Sequence, residues 1–227
     1  MARLTKQVLG RVSGKVGDIQ FRQRNGKNIV GLNPESFIPG TDDESVARRA
    51  RFATTVKFSQ AVYSLDSLKD FWKKDKPEGL SAFNYVFRKN YKYIQSDLVT
   101  ASAVIVPEYG FGVTASAVNV TPSSITVDIN AVGHDNNIDS GSELNCLLTA
   151  VIFLSNPLSE SVDPYSFIYL SSSSQPLDLD TALNFSITPT SSLQQLALGY
   201  QNSTGFFSLV TIGNDSLPVH YSTTFIS

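Results

Sequence analysis

The sequence predicts an α+β protein, with an N-terminal β-hairpin arm and short helices followed by an all-β Ig-like sandwich. Three observations lead to this prediction. An Asn25-Gly26 turn lies between two alternating runs, helix-start patterns follow it, and a period-two pattern with polar turns begins near Leu98. Hydrophobic residues make up 41% of the 227 residues, which is enough to form a packed core.

Charge is divided sharply along the chain. All 18 Lys and Arg residues lie between Arg3 and Lys92, whereas residues 101–227 contain 10 acidic side chains and no Lys or Arg. We therefore predict two domains, a basic region at 1–97 and an acidic β-domain at 98–227. The opposite charges favour head-to-tail contact, because a heterologous interface joins two different surfaces of one subunit.

The basic region begins with a Gly-punctuated arm and the hairpin. Asn-Gly favours a type I′ turn, with Ile19 and Phe21 before it and Ile29 or Val30 after it supplying the apolar side. A lone hairpin is marginal in water, so this one must pack on its own domain or on a neighbour. The predicted assembly interface consists of the residues Arg11, Lys15, Ile19, Phe21, Arg22, Arg24, Ile29 and Val30.

Three helices are predicted in the rest of the basic region. Thr41 and Glu44 form a capping box for a helix over 42–62, while Ser64 and Ser81 are placed to cap a second and a third. The third helix carries aromatic residues along one face. We interpret this face as core, with a base-stacking platform as the alternative.

The acidic region contains short alternating runs bounded by turns rich in Ser, Asn, Asp, Gly and Pro. Several such runs without intervening helices indicate a β-sandwich. The strongly apolar run that begins at Cys146 is typical of a buried strand. The predicted strands span residues 99–106, 111–120, 124–131, 143–154, 165–170, 183–188, 193–200, 206–212 and 219–225.

Three motifs in the first third of the chain form a recognisable set. They are Leu9-Gly-Arg-Val-Ser-Gly-Lys-Val-Gly17, Asn25-Gly-Lys-Asn-Ile-Val30 with Pro34, and Arg48-Arg-Ala-Arg-Phe52. In this set the chain resembles a family of uncharacterised proteins from Bacteroidetes-type bacteria and some of their phages. It departs from the family where Gly31 replaces a frequent Arg, and where Ala47 or Arg48 stands in place of a usual Gln. The resemblance covers about the first 95 residues; it implies an accessory or structural role and adds no catalytic residues.

No residue pattern indicates catalysis. Cys146 is interpreted as a buried small hydrophobe, His134 as a loop residue and His220 as a strand residue at the surface or partly buried. One loop matches a calcium site only loosely, since its later Gly and Glu are out of position. Its alternating oxygen side chains are Asp135, Asn137 and Asp139. We expect no enzymatic activity, cofactor or metal.

These features favour a non-enzymatic structural subunit that self-assembles through its arm and hairpin, as a virion component or a filament. The expected partners are other copies of the chain, and other structural proteins. We expect no membrane contact, because no run of about 18 apolar residues exists. The first residues lack the apolar segment of a secretory signal, so we expect a virion or extracellular assembly reached by another route.

Two other functions stay open. The first is a non-specific nucleic-acid-binding module, with Arg48, Arg49 and Arg51 as the candidate polyanion contact. The second is a surface carbohydrate-binding or adhesive β-sandwich. Its aromatic platform would come from tyrosines of the acidic region, namely Tyr109, Tyr165 or Tyr200.

Overall fold

The chain forms two compact units, Met1–Val46 and Ala47–Ser227. This computed structural model describes residues 12–24, 26–33, 36 and 38–227. The boundary predicted from charge at 97/98 lies inside the second unit, because the helices and the β-strands of that unit share one hydrophobic core.

The first unit contains a three-stranded antiparallel sheet. Its strands are β1 (Gly14–Val16), β2 (Ile19–Arg24) and β3 (Lys27–Leu32), in the order β1-β2-β3. Gly26 has a φ of 72°, which suits the predicted turn, while Asn25 lies outside the described residues. The predicted hairpin is confirmed, and β1 extends it to three strands.

Four helices lie in the described part of the chain: α1 (Asp43–Tyr63), α2 (Asp66–Asp75), α3 (Ala82–Asn90) and α4 (Ser191–Ala197). A 3₁₀ turn at Tyr91–Tyr93 continues α3. The first three helices were predicted, and α1 lies within one residue of its predicted bounds at each end. The fourth replaces the predicted strand 193–200, which is wrong.

The helix caps differ from prediction at two of three sites. Ser45 donates its backbone N–H to Asp42 Oδ2 at 2.9 Å, so Asp42 rather than Thr41 caps α1. The Ser64 hydroxyl donates back to the carbonyl of Gln60 at 2.8 Å and does not cap α2. Ser81 caps α3 as predicted, since it accepts the backbone N–H of Asn84 at 3.1 Å.

The strands of the second unit are antiparallel. They are β4 (Ile94–Gln95), β5 (Leu98–Val99), β6 (Ala115–Val120), β7 (Ile125–Ile129), β8 (Asn145–Pro157), β9 (Tyr165–Ser171), β10 (Gln175–Pro176), β11 (Leu183–Ile187), β12 (Tyr200–Ile212), β13 (Pro218–Tyr221) and β14 (Phe225–Ile226). A six-stranded sheet has the order β10-β8-β12-β13, with β9 also paired to β8 and β14 to β12. A smaller sheet has the order β11-β7-β6, and β4 pairs with β5.

The long strands β8 and β12 are covered on both faces, because alternate side chains enter two different cores. One core joins the six-stranded sheet to the helices through the residues Phe58, Val62, Leu68, Trp72, Val151, Phe153, Phe206 and Val210. The other joins it to the smaller sheet through the residues Ile125, Val127, Ile152, Leu154, Phe185, Phe207 and Leu209. The predicted α+β class is confirmed.

The predicted strand 99–106 ends at Val99. Beyond it, buried backbone groups bond to side chains instead of to a neighbouring strand. The Trp72 indole N–H donates to the carbonyl of Ile105 at 3.0 Å, and the N–H of Ile105 donates to the Thr224 hydroxyl at 3.0 Å. Apolar alternation here therefore reflects burial without sheet pairing. Within the described residues, no helix has the length and apolar character needed to cross a bilayer.

Candidate functional site

The sheet of the first unit has one apolar face. Antiparallel pairing places directly opposed residues on the same face of a sheet. The register pairs Val16 with Ile19 and Ile19 with Leu32, and it pairs Phe21 with Val30. These side chains form the apolar face, which consists of Val16, Ile19, Phe21, Val30 and Leu32.

None of the apolar side chains that the structure describes between residues 12 and 46 is buried. Val16 is 69% exposed and Leu32 82% exposed, and Ile38, after the sheet, is also exposed. Burying a large apolar side chain stabilises a protein by about 1.5–3 kcal/mol, and this stabilisation is absent while the face is exposed to water. The face therefore has the character of a contact surface.

The opposite face of this sheet is basic. Pairing places Lys15 with Gln20, Arg22 with Ile29, and the backbone of Arg24 with Lys27. Lys15, Arg22 and Lys27 are exposed, and Arg22 Nη2 donates to the side-chain oxygen of Gln20 at 2.6 Å. The predicted interface residues thus divide between two faces.

The alternative left open in the hairpin is resolved by the register. Val30, not Ile29, lies with Ile19 and Phe21, because Ile29 is paired with Arg22 on the basic face. Two apolar residues that the sequence did not single out, Val16 and Leu32, complete the apolar face. Arg11, the first residue of the predicted interface, lies outside the described residues.

The candidate polyanion residues on α1 have different environments. Arg48 and Arg49 are exposed. Arg51 donates from Nε and Nη2 to the backbone carbonyl of Tyr91, at 2.9 and 2.6 Å, and its guanidinium lies 4.2 Å from the centre of the Tyr91 ring. Arg51 therefore ties α1 to the end of α3, and its fork of donors is engaged within the fold.

A buried carboxylate lies beside a histidine in the second unit. Glu143 accepts the backbone N–H of Asp139 at 2.8 Å and a hydrogen bond from the Thr211 hydroxyl. The Nδ1 atom of His220 lies 3.0 Å from both carboxylate oxygens. His220 is partly exposed on β13, as predicted, but its partner Glu143 was not predicted. A glutamate at the start of an apolar strand was the available indication.

His220 lines a pocket of about 370 Å³. Three aromatic residues, Tyr109, Phe111 and Tyr221, line it together with the loop residues Asp135, Asn136, Asn137 and Ile138. Of the three tyrosines predicted as a carbohydrate platform, only Tyr109 is exposed. Tyr165 and Tyr200 are buried within the core, which corrects that part of the prediction.

The other singled-out residues take structural roles. Cys146 is fully buried, as predicted, and burial raises the pKa of its thiol to about 12. The Asp139 carboxylate accepts from the Ser142 hydroxyl and from the backbone N–H of Gly141, which lowers its pKa and stabilises the loop. Among the described residues, no three or more His, Cys, Asp and Glu side chains are grouped to hold a metal ion.

Comparison with known proteins assigns no family. No protein-family model and no curated protein matches the chain. A crystal structure of MtrC from Shewanella baltica matches 51% of this chain at 10% identity and a TM-score of 0.29. The match covers 21% of MtrC, so this chain spans about a fifth of that protein. A similarity this weak supports no conclusion about this chain. The family resemblance seen in the N-terminal motifs stays a prediction.

Proposed function

We propose that this protein is a non-enzymatic structural subunit that assembles with further copies of itself, as a virion component or a filament. In this proposal the apolar face of the first unit packs against the acidic region of a neighbouring copy. The observation that supports it is an amphipathic sheet in which no described apolar side chain is buried.

The size of the sheet supports the need for a neighbour. Its strands contain three, six and six residues, and a sheet this small depends for its stability on its hydrophobic face or on packing against another element. Burying Val16, Ile19 and Leu32 against a partner would contribute about 5–9 kcal/mol before the cost of association. The two edge strands, β1 and β3, add backbone groups that can extend a neighbour's sheet.

Charge supports a second copy as the neighbour. The first unit carries exposed Lys15, Arg22 and Lys27 on the face opposite its apolar face, while residues 101–227 contain no Lys or Arg. A basic unit meeting an acidic region of the next copy is a heterologous contact, which generates rings or open filaments. Like charge would oppose contact between two first units.

The Ig-like character of residues 98–227 belongs to this proposal. The packing of β7 and β11 against β8 and β12 supports a sandwich. The helices on the other face of the larger sheet lie outside such a sandwich. The motif resemblance of the first third, with its structural role, is consistent with an assembly subunit and is part of the same proposal.

Neighbouring residues on β3 give a matched test. Leu32→Asp places a carboxylate on the apolar face, and Gly31→Asp places one on the basic face, where open space surrounds the new side chain. We expect the full chain to sediment as an assembly, Leu32→Asp as a monomer, and Gly31→Asp as an assembly. Wild-type protein that sediments as a monomer at all concentrations would contradict the proposal.

The same two variants distinguish self-assembly from the alternative function, non-specific nucleic-acid binding. Contact through the basic face would be weakened by Gly31→Asp and left intact by Leu32→Asp, and it would fall steeply with salt. If the basic face binds a polyanion, a retardation assay with duplex DNA at low salt should show stronger binding by Leu32→Asp than by Gly31→Asp. Self-assembly should rank the two variants in the opposite order.

A further inference from the structure

Tyr109 combines a highly exposed side chain with an unusual backbone conformation. Its side chain is 93% exposed, the largest value among the exposed large hydrophobic residues that the structure describes, and its φ is 75°. A residue with a Cβ in the left-handed region costs about 1–2 kcal/mol relative to ordinary backbone. Such strain persists only where the surroundings hold the residue in place, and it is enriched at binding sites.

The backbone around Tyr109 is fixed on both sides. The Tyr221 hydroxyl donates to the carbonyl of Glu108 at 3.0 Å. The N–H of Phe111 donates to the carbonyl of Tyr221 at 3.0 Å, and the N–H of Thr223 donates to the carbonyl of Phe111 at 2.8 Å. The Tyr109 ring is therefore held away from the core on a rigid segment.

Tyr109 stands between two pockets. It lines the pocket that contains His220, and it also lines a neighbouring pocket of about 390 Å³ with Tyr93, Pro107 and Thr223. A ligand longer than one ring can therefore extend across the Tyr109 side chain from one pocket to the other.

Polar loop residues also line the His220 pocket. Asp135 and Asn137 are exposed on a loop that Asn136 holds in shape, since its amide donates to Gly133 and its carbonyl oxygen accepts from Ile138 N–H. Asn137 offers donors and an acceptor, and Asp135 offers acceptors. These side chains suit a ligand that both donates and accepts hydrogen bonds.

His220 supplies a further positioned group. Its Nδ1 atom faces the buried carboxylate of Glu143, and Nε2 lies on the far side of the ring of this pocket-lining residue. The carboxylate fixes the ring orientation, as it does for histidines that bind ligands.

We propose that this pocket binds a neutral oligosaccharide. The C–H face of one sugar ring lies on Tyr109, and its hydroxyl groups bond to Asp135, Asn137 and His220 Nε2. An aromatic surface beside a few fixed polar groups is the usual chemistry of a ligand pocket. No Lys or Arg lines the His220 pocket, so a phosphate or carboxylate ligand would meet no basic side chain of those types there. Lys89 and Lys92 line the neighbouring pocket, where Lys89 is paired with Glu108 at 2.7 Å. This inference goes beyond assembly and does not depend on it.

Affinity electrophoresis of the full-length protein tests the proposal. Native gels would contain soluble mannan, xylan, mixed-linkage β-glucan, amylopectin or dextran, with a polysaccharide-free gel as reference. We expect at least one polysaccharide to retard the wild-type protein, and Tyr109→Ala and His220→Ala to weaken binding at least tenfold. Tyr169→Ala, which removes another exposed tyrosine away from the pocket, should leave retardation unchanged.

A second variant separates binding from folding. Tyr109→Gly removes the ring and suits the backbone, so it should lose retardation while it unfolds at no lower temperature than Tyr109→Ala. No retardation by any of the polysaccharides, or equal retardation of the wild-type protein and Tyr109→Gly, would overturn the proposal. Loss of retardation in Tyr169→Ala would do the same, because it would place the site elsewhere.

Discussion

Glu143 and His220, 77 residues apart in the chain, meet at 3.0 Å on the second unit, and Glu143 is only 1% exposed. Thr211 on β12 connects them, because its hydroxyl donates to Glu143 and also accepts the backbone N–H of His220 at 2.9 Å. A buried carboxylate is tolerated only when donors surround it. The arrangement therefore links the loop before β8 to β12 and β13.

Replacing Glu143 should destabilise the fold. Glu143→Ala leaves the Asp139 N–H, the Thr211 hydroxyl and His220 without their acceptor, which should lower the free energy of unfolding by about 2–4 kcal/mol. Urea unfolding followed by circular dichroism measures this change. The exposed Glu160→Ala should stay within about 0.5 kcal/mol of wild type. Equal midpoints for Glu143→Ala and wild type would contradict the role given to the carboxylate.

Two glycines near the pocket should respond differently to alanine. A Cβ at Gly110 would lie 2.6–2.8 Å from backbone atoms of residues 221–223, whereas one at Gly112 would meet nothing within 4 Å. Gly110→Ala should therefore lower the free energy of unfolding by about 1–3 kcal/mol. Gly112→Ala should be neutral or slightly stabilising. Similar losses in both variants would show that Gly110 is not a point of close backbone contact.

The strain at Tyr109 should be measurable without any ligand. Neither Tyr109→Gly nor Tyr109→Ala retains the ring, but only alanine keeps a Cβ at a φ of 75°. The glycine variant should be more stable than the alanine variant by about 1 kcal/mol. Thermal unfolding monitored by calorimetry provides the comparison. At the ordinary strand position Tyr169, glycine should instead be less stable than alanine.

Cys146 should be unreactive in the folded protein. Burial raises the pKa of its thiol to about 12, above the value of about 8.5 expected when the chain is unfolded. The neutral thiol therefore stabilises the fold fully below about pH 8.5, and this contribution is lost as pH rises toward 12. DTNB at pH 8 should label the thiol in urea and leave it unlabelled in buffer. Rapid labelling in buffer would contradict the buried position.

The helical signals of the sequence predicted α1 to α3 well, because capping residues and apolar spacing are local. The strand predicted at 193–200 was wrong because the local spacing of apolar residues there fits a strand and a helix alike. Leu196, Leu198 and Tyr200 alternate, but Leu193, Leu196 and Ala197 have helical spacing and pack on the sheet core, while Leu198 is exposed. Short apolar runs fit both periods, and tertiary packing decides between them.

The packing of helices on the six-stranded sheet was not predicted. The continuous apolar run of β8 indicated that this strand is buried on both of its faces. A two-sheet sandwich leaves one face of each sheet exposed and does not require such a run. The Glu143–His220 pair was also out of reach, because it depends on the register between β8, β12 and β13 rather than on spacing in the chain. For the first unit, the register likewise separated apolar from basic residues that the sequence had grouped together.

Photo-crosslinking from the apolar face tests the assembly proposal most directly. A benzophenone maleimide would be attached to Leu32→Cys, since Leu32 is exposed and Cys146 is buried. Mixing isotopically heavy and light chains before illumination separates contacts between copies from contacts within one. We expect mixed crosslinks from position 32 to residues 98–227 of another copy. Crosslinks confined to the same chain, or to the first unit of another copy, would contradict the proposal.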